Sequence, residues 1–346
     1  MEHPGPVLVT GACGLVGRAT VARLLEQGRS VVATDLRTPV TEKVADSWGD
    51  PSGPGRLRVA WCDLTDPAAV GRLVVGVGPA AVIHLAAVIP PLCYARPEVA
   101  RAVNVDATRN LLAAVPAGTR FVQASSVAVY GARNPFRHTG LLTAELEMAP
   151  TDLYGVLKAE AETAVRASAL DWVVLRLGGV MTTEQRAGLD LDVIHFESLL
   201  PVDGRIQTVD VRDVARAFAA ATTAPVSGEA LLIGGDESHR IRQGQITPAM
   251  TAALGLDGGI PVGRPGDPDD DGSWFATDWM DTTRAQEALD FQRITWPDLL
   301  AEIRATSGRR RYLLRLLAPV LHEVFRRTNA RRGTVAPFAP QQSAHA

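Results

Sequence analysis

The segment Thr10-Gly-Ala-Cys-Gly-Leu-Val-Gly17 limits most strongly what this chain can fold into. It follows an apolar run at Val7–Thr10 and opens a helical pattern over Ala19–Gln27. Glycines at 11, 14 and 17 suit a strand-to-helix turn that bends tightly and lets backbone come close to a pyrophosphate. The helix that follows presents free amide donors and the positive end of its dipole to that anion. A second apolar run, Ser30–Asp35, ends in a carboxylate 18 residues beyond Gly17, where an acid can bind the hydroxyls of an adenosine ribose. A glycine triplet alone marks only a turn; the strand before it, the helix after it and the distant acid make it a dinucleotide signature. The expected cofactor contacts here are Gly11, Cys13, Gly14, Leu15, Val16, Gly17, Asp35 and Leu36. Asp35 repels a 2′-phosphate, so NAD is expected rather than NADP, with Arg37 keeping NADP as the alternative.

The rest of the first half alternates short β-rich runs with helical patterns. Strands are predicted at Leu57–Cys62, Ala81–Ala86, Phe121–Ser125 and Trp172–Leu177, and helices at Pro67–Val74, Ala100–Ala114 and Asp152–Ala169. Such alternation indicates parallel βαβ units, hence an α/β fold with a Rossmann doubly wound parallel sheet. Beyond Gly178 the pieces shorten, with strands at Ile206–Val209 and Ala230–Ile233 and helices at Val211–Thr222, Thr247–Leu254 and Thr283–Leu289. With 346 residues and 46% hydrophobic content the chain has room for two domains. Residues 1–177 are read as the NAD-binding domain, and 178–308 mainly as a smaller C-terminal substrate domain that returns strands to the main sheet. A basic amphipathic helix over 309–332 and a disordered tail over 333–346 complete the expectation.

Charge separates that tail from the body. Nine arginines against Glu323 alone give Arg304–Arg332 a charge of +8, leaving −11 on the remainder of a chain whose total is −3. The overall balance implies no nucleic-acid partner. The tail's apolar positions at three- and four-residue spacing suit packing on its own domain or a dimer mate better than membrane contact. Cys13, Cys62 and Cys93 show neither metal-ligand nor disulfide spacing, so no metal is expected and a cytoplasmic location is.

Lysine is scarce: Lys43 and Lys158 are the only two among 35 basic residues. Where arginine otherwise serves, a lysine suggests a need for a compact point charge. Lys158 lies four residues after Tyr154 in a helical pattern, so the two share a face. A tyrosine is a poor base at neutral pH, and lowering its pKa by ~3 units takes ~4 kcal/mol. An ammonium about 5 Å away supplies ~3 kcal/mol of that. Ser125-Ser126 follows the apolar start of the predicted strand at Phe121–Gln123 and lies at the C-terminal sheet edge, where ligands bind in this architecture. A hydroxyl there can hold a substrate oxygen while Tyr154 exchanges its proton.

With these residues assembled, the chain resembles the extended short-chain dehydrogenase/reductase family, the NAD-dependent epimerase/dehydratase superfamily. The matching features are Gly11/Gly14/Gly17, Asp35, Asp63-Leu64, His84-Leu-Ala-Ala87, Asn104, Ser125-Ser126, Tyr154/Lys158, Arg176 and Asp210-Val-Arg-Asp213, spread over about residues 7 to 235. The resemblance implies Ser126, Tyr154 and Lys158 as catalytic residues, with Lys158 also holding the nicotinamide ribose. It adds Asp63, Leu64, Leu85, Ala86, Ala87 and Asn104 to the cofactor contacts, with Tyr154 and Lys158 counted there too, and leaves His84 structural. A homodimer built from two helices of each subunit is common in the resembled family.

Three departures bear on the substrate. Val127 and Ala128 replace the Asp-Glu pair by which family dehydratases eliminate water. Gly178-Gly179 stand where nucleotide-sugar members carry a diphosphate-holding asparagine, and the diphosphate arginine position is Ile206, with Arg205 one residue out of register. The apolar stretch Val88–Tyr94 borders the substrate space, and Pro90, Ser126, Val127 and Gly179 are expected against the substrate. The expected function is an NAD-dependent oxidoreductase acting on a small-molecule secondary alcohol or ketone. The alternatives are a nucleotide-sugar epimerase of the same family and a non-catalytic NAD-binding regulator.

Overall fold

The computed structural model describes residues 5–49, 55–184, 191–256 and 263–308, with 311, 314–316, 318–320, 323 and 327 beyond them. The tail helix and terminal segment expected over 309–346 lie outside the described residues apart from those positions. The strands are β1 (Val7–Thr10), β2 (Ser30–Asp35), β3 (Arg56–Trp61), β4 (Ala81–His84), β5 (Arg120–Ser126), β6 (Asp171–Leu177), β7 (Gly179–Met181), β8 (Arg205–Asp210), β9 (Glu229–Ile233) and β10 (Arg240–Arg242). The helices are α1 (Leu15–Glu26), α2 (Pro39–Ser47), α3 (Pro67–Val77), α4 (Leu92–Ala95), α5 (Pro97–Arg101), α6 (Ala107–Ala114), α7 (Leu153–Arg166), α8 (Leu191–Leu199), α9 (Val211–Ala221), α10 (Gln243–Leu254), α11 (Thr283–Leu289) and α12 (Trp296–Ser307).

Seven parallel strands form the main sheet in the order β3-β2-β1-β4-β5-β6-β9. Side-chain alternation feeds a core on each face. Val7, Val9, Val31, Ala33, Ala81, Ile83, Val173 and Leu175 pack with α1, α9 and α11 on one side. Leu8, Val32, Val82 and Val174 point to the other, where α3, α6 and α7 supply Val70, Leu111 and Val165. Burial on both faces explains why these strands read as continuous apolar runs rather than alternating ones. β6, expected to close this sheet region, is followed outward by β9, which the chain reaches only after β7 and β8.

β7, β8 and β10 make a second, three-stranded sheet, with β7 parallel and β10 antiparallel to β8. Ile206 of β8 packs with Ile246 and Ala253 of α10 and with Trp296, Leu299 and Ile303 of α12. The strand order of the main sheet reverses between β1 and β4, which run parallel with Thr10 and His84 as register partners. In such sheets the crevice beyond the carboxyl ends of those strands receives the ligand. The helix expected over Ala100–Ala114 is interrupted by a π-turn at Ala102–Asp106, which carries Asn104.

Candidate active site

The three glycines do different work. Gly11 has φ +64°, and a Cβ on it would meet Ala86 N at 2.7 Å, so it serves the turn and the close approach of the chain leaving β4. Gly17 lies under the turn; a Cβ there would sit 2.2 Å from Gly11 O. Gly14 is exposed and would meet only Gly11 O, at 3.2 Å, so it is the glycine past which a phosphate can approach the helix start. Leu15 and Val16 follow it as the first residues of α1, which has no side-chain cap. An uncapped amino end leaves amide donors for an anion.

Asp35 closes the other side of the cradle. Its Oδ2 accepts the Cys13 N–H at 2.9 Å and its Oδ1 the Leu36 N–H at 2.8 Å, and each oxygen keeps lone pairs for ribose hydroxyls. Arg37, the residue that keeps NADP as the alternative, is engaged with Glu42 at 2.6 Å. Leu36 is 52% exposed at the mouth. Asp63 takes Thr65 N–H and Oγ1 on its Oδ1 in the turn after β3, while Asp66 caps α3 and Leu64 enters the second core layer. These residues fit a dinucleotide carrying free ribose hydroxyls.

Leu85, Ala86 and Ala87 leave β4 half-buried beside this turn, and a hydrogen-bonded chain behind them sets their path. The Leu85 N–H reaches Thr10 Oγ1 at 3.2 Å, and Thr10 Oγ1 lies 2.7 Å from His84 Nδ1. Thr108 Oγ1 donates to Asn104 O and so accepts from His84 Nε2 at 3.0 Å, which assigns the ring proton to Nε2 and makes Thr10 the donor to Nδ1. Burial depresses His84 to about 3, so it stays neutral and structural. Asn104 clamps the next residues, accepting the Val88 N–H at 2.7 Å and donating to Val88 O at 2.9 Å. Pro90 follows, half-buried, in a cis peptide with Pro91.

Ser126 is the last residue of β5 and caps a single 3₁₀ turn, Val127–Tyr130, by accepting the Ala128 N–H at 3.2 Å. Its hydroxyl proton remains free to be donated, and Ser126 acts to lower the pKa of the Tyr154 phenol. Tyr154 is half-buried in the first turn of α7, and Lys158, 4% exposed, lies one turn on with Nζ 5.8 Å from the Tyr154 ring centre. Lys158 Nζ donates to Ala124 O at 3.0 Å, tying the helix to β5. Val127 is 3% exposed among Val129, Tyr130, Leu142, Leu232 and Met280. Gly179 faces Ile206, whose Cδ1 a Cβ would meet at 2.8 Å.

The expected lowering of the phenol by Lys158 is not what the cofactor-free pocket produces. Burial dominates and holds Tyr154 above the ordinary tyrosine value, with the Ser126 hydrogen bond pulling partly the other way. Burial also depresses Lys158, from 10.5 to about 8, against the attraction of Glu162. Between about 8 and 10.5 the unfolded chain therefore holds a proton that the folded chain has shed, and stability attributable to this group rises with pH across that window. Lys158→Met should raise the stability of the cofactor-free protein at neutral pH by on the order of 1–3 kcal/mol, less the lost Ala124 hydrogen bond. Urea melts of both proteins from pH 7 to 10 test this; a variant less stable at pH 7 would contradict it.

Several further residues support the site, and of these Gly155, Asp152 and Glu162 are not evident from motif spacing. A Cβ on Gly155, between Tyr154 and Lys158, would lie 2.4 Å from Ala128 O; the missing side chain lets α7 press on the turn after Ser126. Asp152 caps α7 through the Gly155 N–H at 3.1 Å and also receives the Tyr94 hydroxyl at 3.1 Å. Arg176 and Glu162, 1% and 0% exposed, form a two-bonded pair at 2.8 and 2.9 Å, and Arg176 also donates to the Tyr130 hydroxyl. Arg205 takes the face opposite Ile206, stacking on Trp279 at 4.7 Å and donating to His138 O and Thr139 O.

The sequence model of the NAD dependent epimerase/dehydratase family matches residues 7–234. The chain belongs to that family. It is similar to D-erythronate dehydrogenase of Cupriavidus necator, 33% identical over 182 residues that cover 49% of this chain and 54% of that protein. It is also 33% identical over 191 residues to human 3 beta-hydroxysteroid dehydrogenase type 7, covering 53% of this chain and 47% of that protein. The chain thus spans about half the length of the curated relatives it matches. Among solved structures it resembles MoeE5 in complex with UDP-glucuronic acid and NAD, with a TM-score of 0.66 and 26% identity over 88% of this chain and 99% of that one.

Proposed function

We propose that this protein is an NAD-dependent oxidoreductase that moves a hydride between nicotinamide and a secondary alcohol or ketone. The observation that carries this reading is Lys158 Nζ, buried one helical turn from Tyr154, 5.8 Å from its ring centre and tied to Ala124 O of the strand that ends in Ser126. NAD supplies hydride acceptance and, in its oxidised form, a positive ring. Ser126 Oγ holds the substrate oxygen, and Tyr154 Oη takes or returns the hydroxyl proton. Lys158 keeps positive charge beside the phenol and has N–H donors beyond the one given to Ala124 for the ribose. Burial keeps the phenol protonated in the cofactor-free protein, which suits it as an acid toward a ketone; as a base it needs the added positive charge of the oxidised cofactor.

An uncharged substrate is favoured by Ile206 lying in an apolar cluster and by the commitment of Arg205 to Trp279 and two carbonyls. Dehydration has no acid-base pair at Val127 and Ala128. Similarity to MoeE5, solved with UDP-glucuronic acid and NAD, favours a second reading as a nucleotide-sugar epimerase. Net NADH formation separates the two, because an epimerase returns the hydride to its own substrate. Incubation with NAD and a panel of alcohols should accumulate NADH, with NAD preferred over NADP by about tenfold or more through the repulsion at Asp35. Sugar interconversion without NADH would select the epimerase reading, and turnover with NADP alone would remove the argument from Asp35.

A further inference from the structure

The chain leaving β4 carries two neighbouring residues into different surroundings. Cys93 is fully buried with Ala100, Val105 and Leu157, and Val88, Leu153 and Tyr154 pack around that group. The next residue, Tyr94, turns toward the small domain. Its ring lies 6.2 Å from Phe196 of α8, tilted by 33°, and Phe196 meets Phe275 nearly edge-on at 5.7 Å and 78°. Rings 4.5–7 Å apart in tilted or edge-on geometry attract one another beyond their buried area.

Three separate segments thus bring aromatic rings to one place, and the Tyr94 hydroxyl fixes that place relative to the chemistry. It donates to Asp152, which caps the helix whose second residue is Tyr154. The cluster is closed on one side and open on the other: Phe196 and Leu200 are buried, whereas Tyr94 and Phe275 are half-buried, as is Tyr154. Nearby cations are committed. Arg133 pairs with Asp278 at 3.0 Å, and Arg205 stacks on Trp279. A cluster of tilted aromatic rings near the phenol, with those guanidiniums engaged elsewhere, suits a ring better than a diphosphate.

We propose that Tyr94 determines substrate choice at this site, its ring joining Phe196 and Phe275 in an aromatic wall that selects a ketone or secondary alcohol bearing an aromatic or alicyclic ring. This rests on the oxidoreductase reading above. The Tyr94 hydroxyl, held on Asp152, orients the ring, so Tyr94 both positions the wall and contributes to it.

The test measures kcat/KM for an aryl or cyclohexyl methyl carbinol, an open-chain secondary alcohol of equal carbon number, and erythronate, each with saturating NAD. The wild-type protein should favour the ring by about tenfold or more, the scale on which apolar pockets discriminate. Tyr94→Leu should bring the ratio of ring to chain near unity while NAD affinity is retained, and Phe275→Leu should lower it in the same direction, serving if the first variant fails to fold. Tyr94→Phe should keep the preference but raise KM, because only the tether to Asp152 is lost. A wild-type protein indifferent to the ring, or leucine variants that keep its preference, would overturn the wall. NADH from erythronate or the open chain alone would overturn the wall and leave the oxidoreductase reading standing; NADH from none of the three would overturn both.

Discussion

Replacing Tyr154 by phenylalanine should lower kcat by about 10²–10⁴-fold, the range lost when a positioned proton-transfer group is removed, with NAD affinity changed by less than about threefold. The asymmetry follows from where the atoms lie. The phenol is influenced by Ser126, whereas Gly14, the α1 amides and Asp35 belong to other segments. Phenylalanine keeps the ring that packs beside Val88, Leu153 and Cys93, so the helix start is preserved. Steady-state kinetics and an NAD titration on the same preparation read the two effects separately. Full activity in this variant would rule out the mechanism, and loss of NAD binding together with activity would mean that the phenol serves mainly to hold the cofactor site.

The main sheet was legible because its strands are buried on both faces. Val7–Thr10 and Ser30–Asp35 occur where the apolar runs place them, and α7 begins one residue after its capping Asp152. Chemistry confined to one helix turn was legible for a similar reason: four residues along a helix fixes a shared face for Tyr154 and Lys158. β7 and β10, three residues each, are too short to show a period. α2 buries no residue and so has no apolar stripe, although Thr38-Pro39 with Thr41 is a start signal in its own right. The sign of the Tyr154 shift required tertiary structure, because it depends on how much water the folded pocket removes from the phenol. Gly155 illustrates the same limit: its spacing between two catalytic candidates says nothing of the carbonyl of Ala128 that excludes a side chain there.

Arg176→Met should destabilise the fold by about 3–5 kcal/mol, because removing one member of a buried ion pair strands the other. Glu162 is 0% exposed and holds Arg176 through both oxygens, while Arg166 reaches the same carboxylate at 3.4 Å from a position 38% exposed and cannot reproduce the two-bonded contact. The pair also links three parts of the site. Glu162 is on α7 one turn beyond Lys158, Arg176 is on β6, and the guanidinium reaches the Tyr130 hydroxyl and Ala144 O. Adding Glu162→Gln to Arg176→Met removes the stranded charge and should recover much of the lost stability, since a neutral amide costs less to bury than a carboxylate. Urea denaturation of the single and double variants measures the recovery as a coupling energy. A single variant within about 1 kcal/mol of wild type would mean that the carboxylate finds water or a proton at little cost. If the double variant regains stability but not turnover, the pair positions α7 as well as holding it folded, because its contacts fix where α7 sits against the strand that ends in Ser126.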